Sequence, residues 1–192
     1  MLADLPLLSL VIWTPIVGGA AVLAAPNTDS NALVKWLALL FGAATFALSL
    51  PLYTQFNVGA SDMQFQEMAP WIDVFNINYH LGIDGISLLL ILLTTFTTML
   101  VIISAWEVIQ FKVAQYMAAF LIMEGLMIGV FAAMDAALFY VFWEAMLIPM
   151  FLIIGVWGGP RRVYAAIKFF LYTFLGSVFL LVAILYLFLR SW

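Results

Sequence analysis

Three ionisable side chains lie within long apolar stretches of this sequence: Glu124, Glu144 and Lys168. Glu144 interrupts "FYVFWEAMLIPM", residues 139–150, which is otherwise apolar and aromatic. A charge at the centre of a membrane helix costs roughly 2.5–3.5 kcal/mol, so such residues usually face a bundle interior or a wet cavity, where a carboxyl can carry protons. We therefore take all three as candidate proton-path residues. The alternatives are neutralised packing residues and, for Lys168, a side chain that reaches the membrane interface.

The two glutamates are predicted to lie at similar depth in neighbouring antiparallel helices. Glu144 lies about 12 Å, and Glu124 about 14 Å, from the same outer end. If both face one cleft, the two carboxylates oppose each other's ionisation and can share one proton. The sequence leaves the rotation of the helices open. Pro149 frees the carbonyl of Ala145, which either opens the helix beside Glu144 or marks an ordinary packing kink.

Lys168 belongs to a polar stripe in the last apolar segment. Tyr164, Lys168 and Tyr172 recur every four residues, which places them on one helix face. Lys168 lies about 8 Å from the predicted cytoplasmic end, which leaves an axial gap of about 12 Å to Glu144. We therefore expect no direct ion pair between them, so waters or further residues would have to bridge the gap.

The composition requires a membrane to surround these helices. Of 192 residues, 67% are hydrophobic and 8% are charged, whereas soluble domains carry about 25% charged residues. The predicted fold is all-α, a polytopic transmembrane helix bundle, because backbone groups in lipid must be satisfied internally. A helix needs about 20 apolar residues to cross the hydrocarbon core. The predicted spans are 5–25, 33–54, 84–106, 114–133, 136–157 and 163–189.

The long connection 55–83 is predicted to form a small extramembrane hairpin. In residues 75–81, apolar side chains alternate with polar ones, beginning at Phe75, which is the period of a β-strand. "QFQEM" precedes this segment and would supply the second strand. Its histidine, His80, is the only one in the chain, and we interpret it as a surface or interface residue rather than a proton group or ligand.

The charges between the helices predict the orientation. The basic residues of one side are Lys35, Lys112, Arg161 and Arg162, and the acidic residues of the other are Asp4, Asp62, Glu67, Asp73, Asp84 and Asp135. The positive-inside rule makes the basic side cytoplasmic and places both termini outside. Tryptophans near helix ends suit the interfaces: Trp106, Trp157 and Trp192. The start of the chain lacks signal-peptide features, so we expect the first helix to be retained.

The remaining polar residues favour structural roles. Ser87, Thr94 and Thr98 share one helix face, which is typical of close helix packing. Asp84 in "GIDGIS" is predicted to cap its helix. The absence of cysteine excludes disulfides and cysteine-ligated clusters in these residues. We find no phosphate-binding loop, catalytic triad or dinucleotide fingerprint, and no nucleic-acid partner is expected.

Several segments resemble a known family. "FYVFWEAMLIPMFLIIGVWGG", "AAIKFFLYTFLGS", "NYHLGIDGISLLL" and "MIGVFAAMDAALFYVF" are similar to chain M of bacterial respiratory complex I, NADH:quinone oxidoreductase. This is an antiporter-like, proton-translocating membrane subunit equivalent to mitochondrial subunit 4. The resemblance covers essentially the whole chain. Multisubunit cation/proton antiporters and membrane-bound hydrogenases share the "GIDGIS"-like start and the glutamate on the fifth helix.

The resemblance implies a larger fold of about fourteen transmembrane helices, in which helices four to eight and nine to thirteen form inverted repeats. Residues 1–113 would be helices one to three, with the loop at 55–83, and residues 114–192 would begin the first half-channel. Glu144 would be the helix-five glutamate, which pairs with a lysine on helix seven. Glu124 would be the helix-four glutamate and Lys168 the helix-six lysine. The helix-seven lysine falls beyond residue 192, so the sequence is interpreted as an N-terminal portion.

The resemblance also implies a location and partners. The chain would lie in the bacterial inner membrane, against the lipid bilayer and the sister antiporter-like chains, and would carry protons. NADH, FMN, iron–sulfur clusters and quinone would be bound by partner subunits, with no redox centre in this chain. Two alternatives remain open at this stage: a transport subunit of a cation/proton antiporter, and a truncated scaffold that does not transport.

Overall fold

The computed structural model describes residues 6–26, 31–60 and 62–190. In these residues it contains six helices long and apolar enough to cross a membrane, as the sequence predicts. Their ends agree with the predicted spans to within two residues. The helices are α1 (Leu7–Ala24), α2 (Ala32–Thr54), α3 (Gly85–Val108), α4 (Val113–Ala132), α5 (Ala136–Trp157) and α6 (Arg162–Arg190).

The predicted hairpin is present between α2 and α3. Strand β1 (Gln64–Ile72) pairs antiparallel with β2 (Ile77–Ile83), and Met68 lies opposite His80. The second strand begins two residues later than the alternation predicts, because Asp73–Phe75 form a 3-10 turn. Asn76 follows this turn in the left-handed conformation, with φ of 52°, which asparagine tolerates better than most residues.

The hairpin connects helix ends that are far apart in sequence. The carboxylate of Glu67 accepts hydrogen bonds from the backbone N–H groups of Leu8, at 2.7 Å, and Ser9, at 3.1 Å. Asp135 accepts a hydrogen bond from the backbone N–H of Asn78 at 3.1 Å and also caps α5. The bonds from Leu8 and Ser9 and the cap of α5 satisfy backbone donors that a helix cannot pair internally. Together with the bond from Asn78 they gather the first turns of α1 and α5 at one end of the bundle.

Small residues allow α1 and α4 to approach closely. A Cβ at Gly125 would lie 2.5 Å from the carbonyl oxygen of Ile12, and a Cβ at Gly19 would lie 2.6 Å from Ile122. Glycines at such contacts allow two membrane helices to pack backbone against backbone. The helix pair α1–α4 forms the centre of the bundle, with the α2–α3 pair packed beside it.

The opposite end of the bundle is held by side-chain hydrogen bonds to backbone carbonyls. Lys35 is only 8% exposed, and its Nζ donates to the carbonyl oxygen of Trp106 at 2.5 Å. Trp157 donates from Nε1 to the carbonyl oxygen of Phe111 at 2.8 Å. The first bond connects α2 to α3, and the second connects α5 to the α3–α4 turn. Trp192 and Asp4, named in the sequence analysis, lie outside the described residues.

Candidate functional site

Glu124 is a buried carboxyl in the middle of α4. Its side chain is 1% exposed, and neither carboxyl oxygen has a hydrogen-bond partner among the described residues. Leu121 and Ile128 lie one turn before and after it on the same face, and each belongs to an apolar cluster that includes residues of α2 and α3. Glu124 is therefore on a face of α4 that packs inside the bundle.

Hydroxyl groups line the contact between α2 and α3. Ser49 and Thr95 are fully buried, and their hydroxyl oxygens lie 3.2 Å apart. Thr94 and Thr98 are also buried and donate to carbonyls one turn earlier, at 2.8 and 3.0 Å. The packing role predicted for Thr94 and Thr98 is therefore confirmed, and Thr95 is a buried member that the sequence analysis did not name.

Glu144 lies in the middle of α5, the helix that packs against α6. The residue is partly buried, and its Oε1 is fully enclosed without a hydrogen-bond partner among the described residues. The helix remains continuous through Pro149, which is itself buried. The proline therefore produces no break in α5 beside Glu144.

The two glutamates do not face each other. A Cβ at Gly129 of α4 would lie 2.6 Å from the ring of Phe142, so this pair marks the α4–α5 contact. Glu144 follows Phe142 by two residues and points roughly 200° away around α5. Glu124 is rotated roughly 140° from Gly129 around α4. The shared cleft considered from the sequence is not formed, because each carboxyl lies on a different side of the α4–α5 contact.

Lys168 is exposed on the outer face of α6. Its Nζ lies 5.9 Å from the centroid of the Tyr164 ring, and Tyr172 of the same stripe is 82% exposed. Ala166, which faces α5, is rotated roughly 200° from Lys168, so the lysine points away from Glu144.

Three charged residues do more than their sequence positions indicated. The sequence positions of Lys35, Glu67 and Asp135 indicate only charges in the connections between helices. In the structure, each binds backbone groups of another element. Asp84 behaves as predicted: it caps α3 by accepting from the backbone N–H of Ser87 at 2.7 Å, and this bond holds the pKa of Asp84 below its ordinary value.

The imidazole of His80 has no assigned role, but its backbone does. The carbonyl oxygen of His80 accepts from the backbone N–H of Met134 at 2.9 Å, which joins the hairpin to the α4–α5 connection. This agrees with an interface position. Among residues 6–26, 31–60 and 62–190, no group of three or more His, Cys, Asp or Glu side chains is arranged to hold a metal ion.

The fold itself has a solved relative. The chain superimposes with a TM-score of 0.76 on a chain of the membrane-bound sulfane sulfur reductase, an archaeal respiratory membrane complex. The two are 18% identical, and the match covers 95% of this chain and 28% of the other. At this identity the similarity establishes the fold alone, a bundle of helices long and apolar enough to cross a membrane.

Two family models together match residues 32–191. The model described as NADH:quinone oxidoreductase/Mrp antiporter, TM, covers residues 133–191. The model described as NADH-ubiquinone oxidoreductase chain 4, amino terminus, covers residues 32–133, which is more than half of the chain. The chain belongs to the NADH-ubiquinone oxidoreductase chain 4 family. This confirms the resemblance drawn from its sequence segments.

Named members of the chain 4 family match over nearly all of this sequence. NADH-quinone oxidoreductase subunit M of Rhodobacter capsulatus is 52% identical, over 96% of this chain and 36% of the relative. NADH-ubiquinone oxidoreductase chain 4 of Arabidopsis thaliana is 46% identical, over 93% of this chain and 36% of the relative. Subunit M of Rickettsia prowazekii is 40% identical, over 96% and 38%. The chain thus spans just over a third of the length of these relatives.

Proposed function

We propose that this chain is part of a proton-translocating membrane subunit of an NADH:quinone oxidoreductase. It would couple electron transfer from NADH to quinone, elsewhere in the complex, to proton movement through its buried charged residues. The observation that carries the proposal is Glu144, whose carboxyl oxygen Oε1 is enclosed within a membrane helix without a hydrogen-bond partner in the described chain. Membership of the chain 4 family and the names of its relatives support it.

The chemistry needed at Glu144 is proton uptake and release. An isolated carboxylate is costly in apolar surroundings, and a nearby cation stabilises the charged form of a carboxyl, so the proposed proton transfer needs a cation beside Glu144. By resemblance, that cation is a lysine on helix seven, beyond residue 192. Glu124 is proposed as a second carrier and Lys168 as the helix-six lysine of the same path. The separate faces of the two glutamates mean that any transfer between them requires intervening groups.

The wider arrangement is also part of the proposal. Residues 1–113 form the first three helices with their hairpin, and residues 114–192 begin the first half-channel. The positive-inside rule places the hairpin end outside the bacterial inner membrane, together with both ends of this chain. Partner subunits carry NADH, FMN, the iron–sulfur clusters and quinone, and sister antiporter-like subunits lie beside this one in the lipid bilayer.

Replacement of Glu144 by glutamine tests the proposal, because it preserves shape and removes the titrating group. The substitution is made in the full-length subunit, and the assembled complex is studied in inverted membrane vesicles. NADH oxidation and the resulting acidification of the vesicle lumen are measured together. We expect a normal amount of complex and a loss of NADH-driven acidification. Glu107→Gln, an exposed carboxyl at the end of α3, is the matched control and should pump normally.

The second candidate is a transport subunit of a cation/proton antiporter, because one matching family model includes Mrp antiporters. Vesicles without NADH distinguish the two: sodium-driven proton exchange that is lost in Glu144→Gln would favour the antiporter. A scaffold without transport predicts normal acidification in Glu144→Gln, and that result would contradict the proposed function.

A further inference from the structure

Ser177 is an unusual residue of α6. It is 3% exposed, whereas most residues of its helix are exposed, and Ala166 is the other buried residue of α6. The hydroxyl oxygen of Ser177 has no hydrogen-bond partner among the described residues. In that part of the chain, α6 packs extensively against α5 alone. The surface that buries Ser177 is therefore α5.

Two contacts fix how α5 and α6 are aligned. A Cβ at Gly155 of α5 would lie 3.5 Å from the Cβ of Ala166 of α6. The rings of Phe151 and Phe170 lie with their centroids 5.6 Å apart. Phe151 lies one turn before Gly155 on α5, and Phe170 lies one turn after Ala166 on α6. Both contacts therefore belong to one register of two antiparallel helices.

The same register continues to Glu144 and Ser177. Glu144 lies about two turns before Phe151, and Ser177 lies about two turns after Phe170. The separation from Glu144 to Phe151 equals the separation from Phe170 to Ser177. The carboxyl-bearing residue of α5 and the hydroxyl-bearing residue of α6 are therefore level with each other.

Both residues also lie on the contacting faces. Glu144 lies eleven residues before Gly155, which is about three helical turns. This spacing keeps two side chains within roughly 40° of each other around the helix. Ser177 has the same spacing from Ala166. Lys168 and Tyr164, by contrast, lie on the opposite side of α6 and are exposed. Level and face together direct Glu144 and Ser177 at each other.

The unpaired side-chain oxygens of Glu144 and Ser177 support a hydrogen-bonded connection between the two residues. Buried side-chain oxygens almost always have a hydrogen-bond partner, yet Oε1 of Glu144 and Oγ of Ser177 are both enclosed without one in the described residues. A hydroxyl can donate to a carboxylate and can also accept from a carboxylic acid. One group therefore serves both protonation states that a proton carrier must pass through.

We propose that Ser177 is the hydrogen-bonding partner of Glu144 in the α5–α6 interface, acting through one bridging water molecule. It is a positioning residue: it orients the carboxyl and stabilises the ionised form, which eases release of the proton. The inference rests on the proposed function of Glu144. It adds α6 to the proton site through a residue other than the lysine that the resemblance suggests.

Ser177→Ala in the full-length subunit, within the assembled complex, tests the inference. Infrared difference spectroscopy of membranes locates the carbonyl band of protonated Glu144 as the band that Glu144→Gln abolishes. Because a lost hydrogen bond stiffens the C=O bond, we expect Ser177→Ala to move this band to higher wavenumber. We also expect NADH-driven proton transport to fall roughly three- to tenfold, the factor that one hydrogen bond contributes. Ser177→Gly removes the same hydroxyl and serves if the alanine variant assembles poorly.

Two controls separate this role from simple packing. Ser177→Thr keeps the hydroxyl and should restore both the band and the rate. Thr173→Val removes a hydroxyl one turn earlier on the same face, where Oγ1 already donates to the carbonyl of Phe169 at 2.9 Å, and should leave both unchanged. An unshifted band in Ser177→Ala, or an equal effect of Thr173→Val, would overturn the inference.

The Glu144→Gln variant distinguishes a failure of the inference about Ser177 from a failure of the proposed function. If Glu144→Gln blocks proton transport while Ser177→Ala leaves band and rate unchanged, the inference about Ser177 fails and the proposed function stands. If Glu144→Gln transports protons normally, the proposed function fails and takes the inference with it.

Discussion

Glu67 of the hairpin binds the first turn of α1, where its carboxylate accepts from the backbone N–H of Leu8 at 2.7 Å. The two residues are far apart in sequence, and α1 has no capping side chain of its own at Pro6. Because a negative charge is favourable at a helix N-terminus, the hairpin both completes α1 and fixes where it begins.

Glu67→Ala should therefore destabilise the subunit. We expect a loss of about 1–2 kcal/mol, the value typical of a removed helix cap, seen as a lower thermal inactivation midpoint of the complex in its membrane. Glu107→Ala, which removes an exposed carboxyl near the opposite end, is the control. Equal midpoints for the two variants would show that the cap contributes nothing.

Lys35→Met should loosen the contact between α2 and α3. The substitution keeps the apolar stem but removes the donor to the Trp106 carbonyl, and a lost hydrogen bond from a charged group costs about 1.5–3 kcal/mol. The amount of assembled complex and its thermal midpoint report the change. Lys112→Met removes an exposed lysine of the same end, and we expect it to be nearly neutral. A neutral Lys35→Met would contradict the role of this bond.

Gly125→Ala should disturb the packing of α1 on α4, because the new Cβ would lie 2.5 Å from the backbone oxygen of Ile12. Overpacking of this kind costs about 1–3 kcal/mol. Gly176→Ala is the matched control, since no described atom lies within 4 Å of its Cβ position. The ratio of the two assembly levels measures the effect, and a ratio near one would refute it.

Glu124→Met separates the effect of the buried carboxyl on stability from its proposed role in proton transport. An unpaired buried polar group destabilises, so an apolar side chain of similar volume should leave thermal stability equal or higher. If Glu124 carries protons, NADH-driven acidification should nevertheless fall, as it should for Glu124→Gln. Unchanged acidification in both variants would remove Glu124 from the proton path.

The stability of the N-terminus of α3 should depend on pH in the acidic range, because Asp84 caps this helix. The cap at Ser87 lowers the pKa of Asp84 from its ordinary value of 3.8, so the folded state favours the ionised carboxyl. Its contribution is fully present above the ordinary pKa and is lost as the pH falls through the lowered one. Hydrogen exchange of the Ser87 amide should accelerate in that acidic range. Asp84→Asn, which caps without titrating, should remove the pH dependence, and a retained dependence would assign it to another group.

The sequence by itself determined the membrane helices. Long apolar runs have one stable form in lipid, a helix with all its backbone bonds internal, so six spans could be placed closely from hydropathy and turn residues alone. The buried charges were equally visible as polar exceptions within those runs. The strand period of the hairpin was also readable, although the 3-10 turn at Asp73–Phe75 displaced its start.

The tertiary structure decided which way those side chains point. A depth estimate uses only the rise per residue, and it placed Glu124 and Glu144 at similar levels, but the rotation of each helix depends on how ridges and glycines pack. The contact between Gly129 and Phe142 turned the two carboxyls apart. Ser177 became a candidate only when the α5–α6 register brought it level with Glu144, because a serine in an apolar helix gives no such signal by itself.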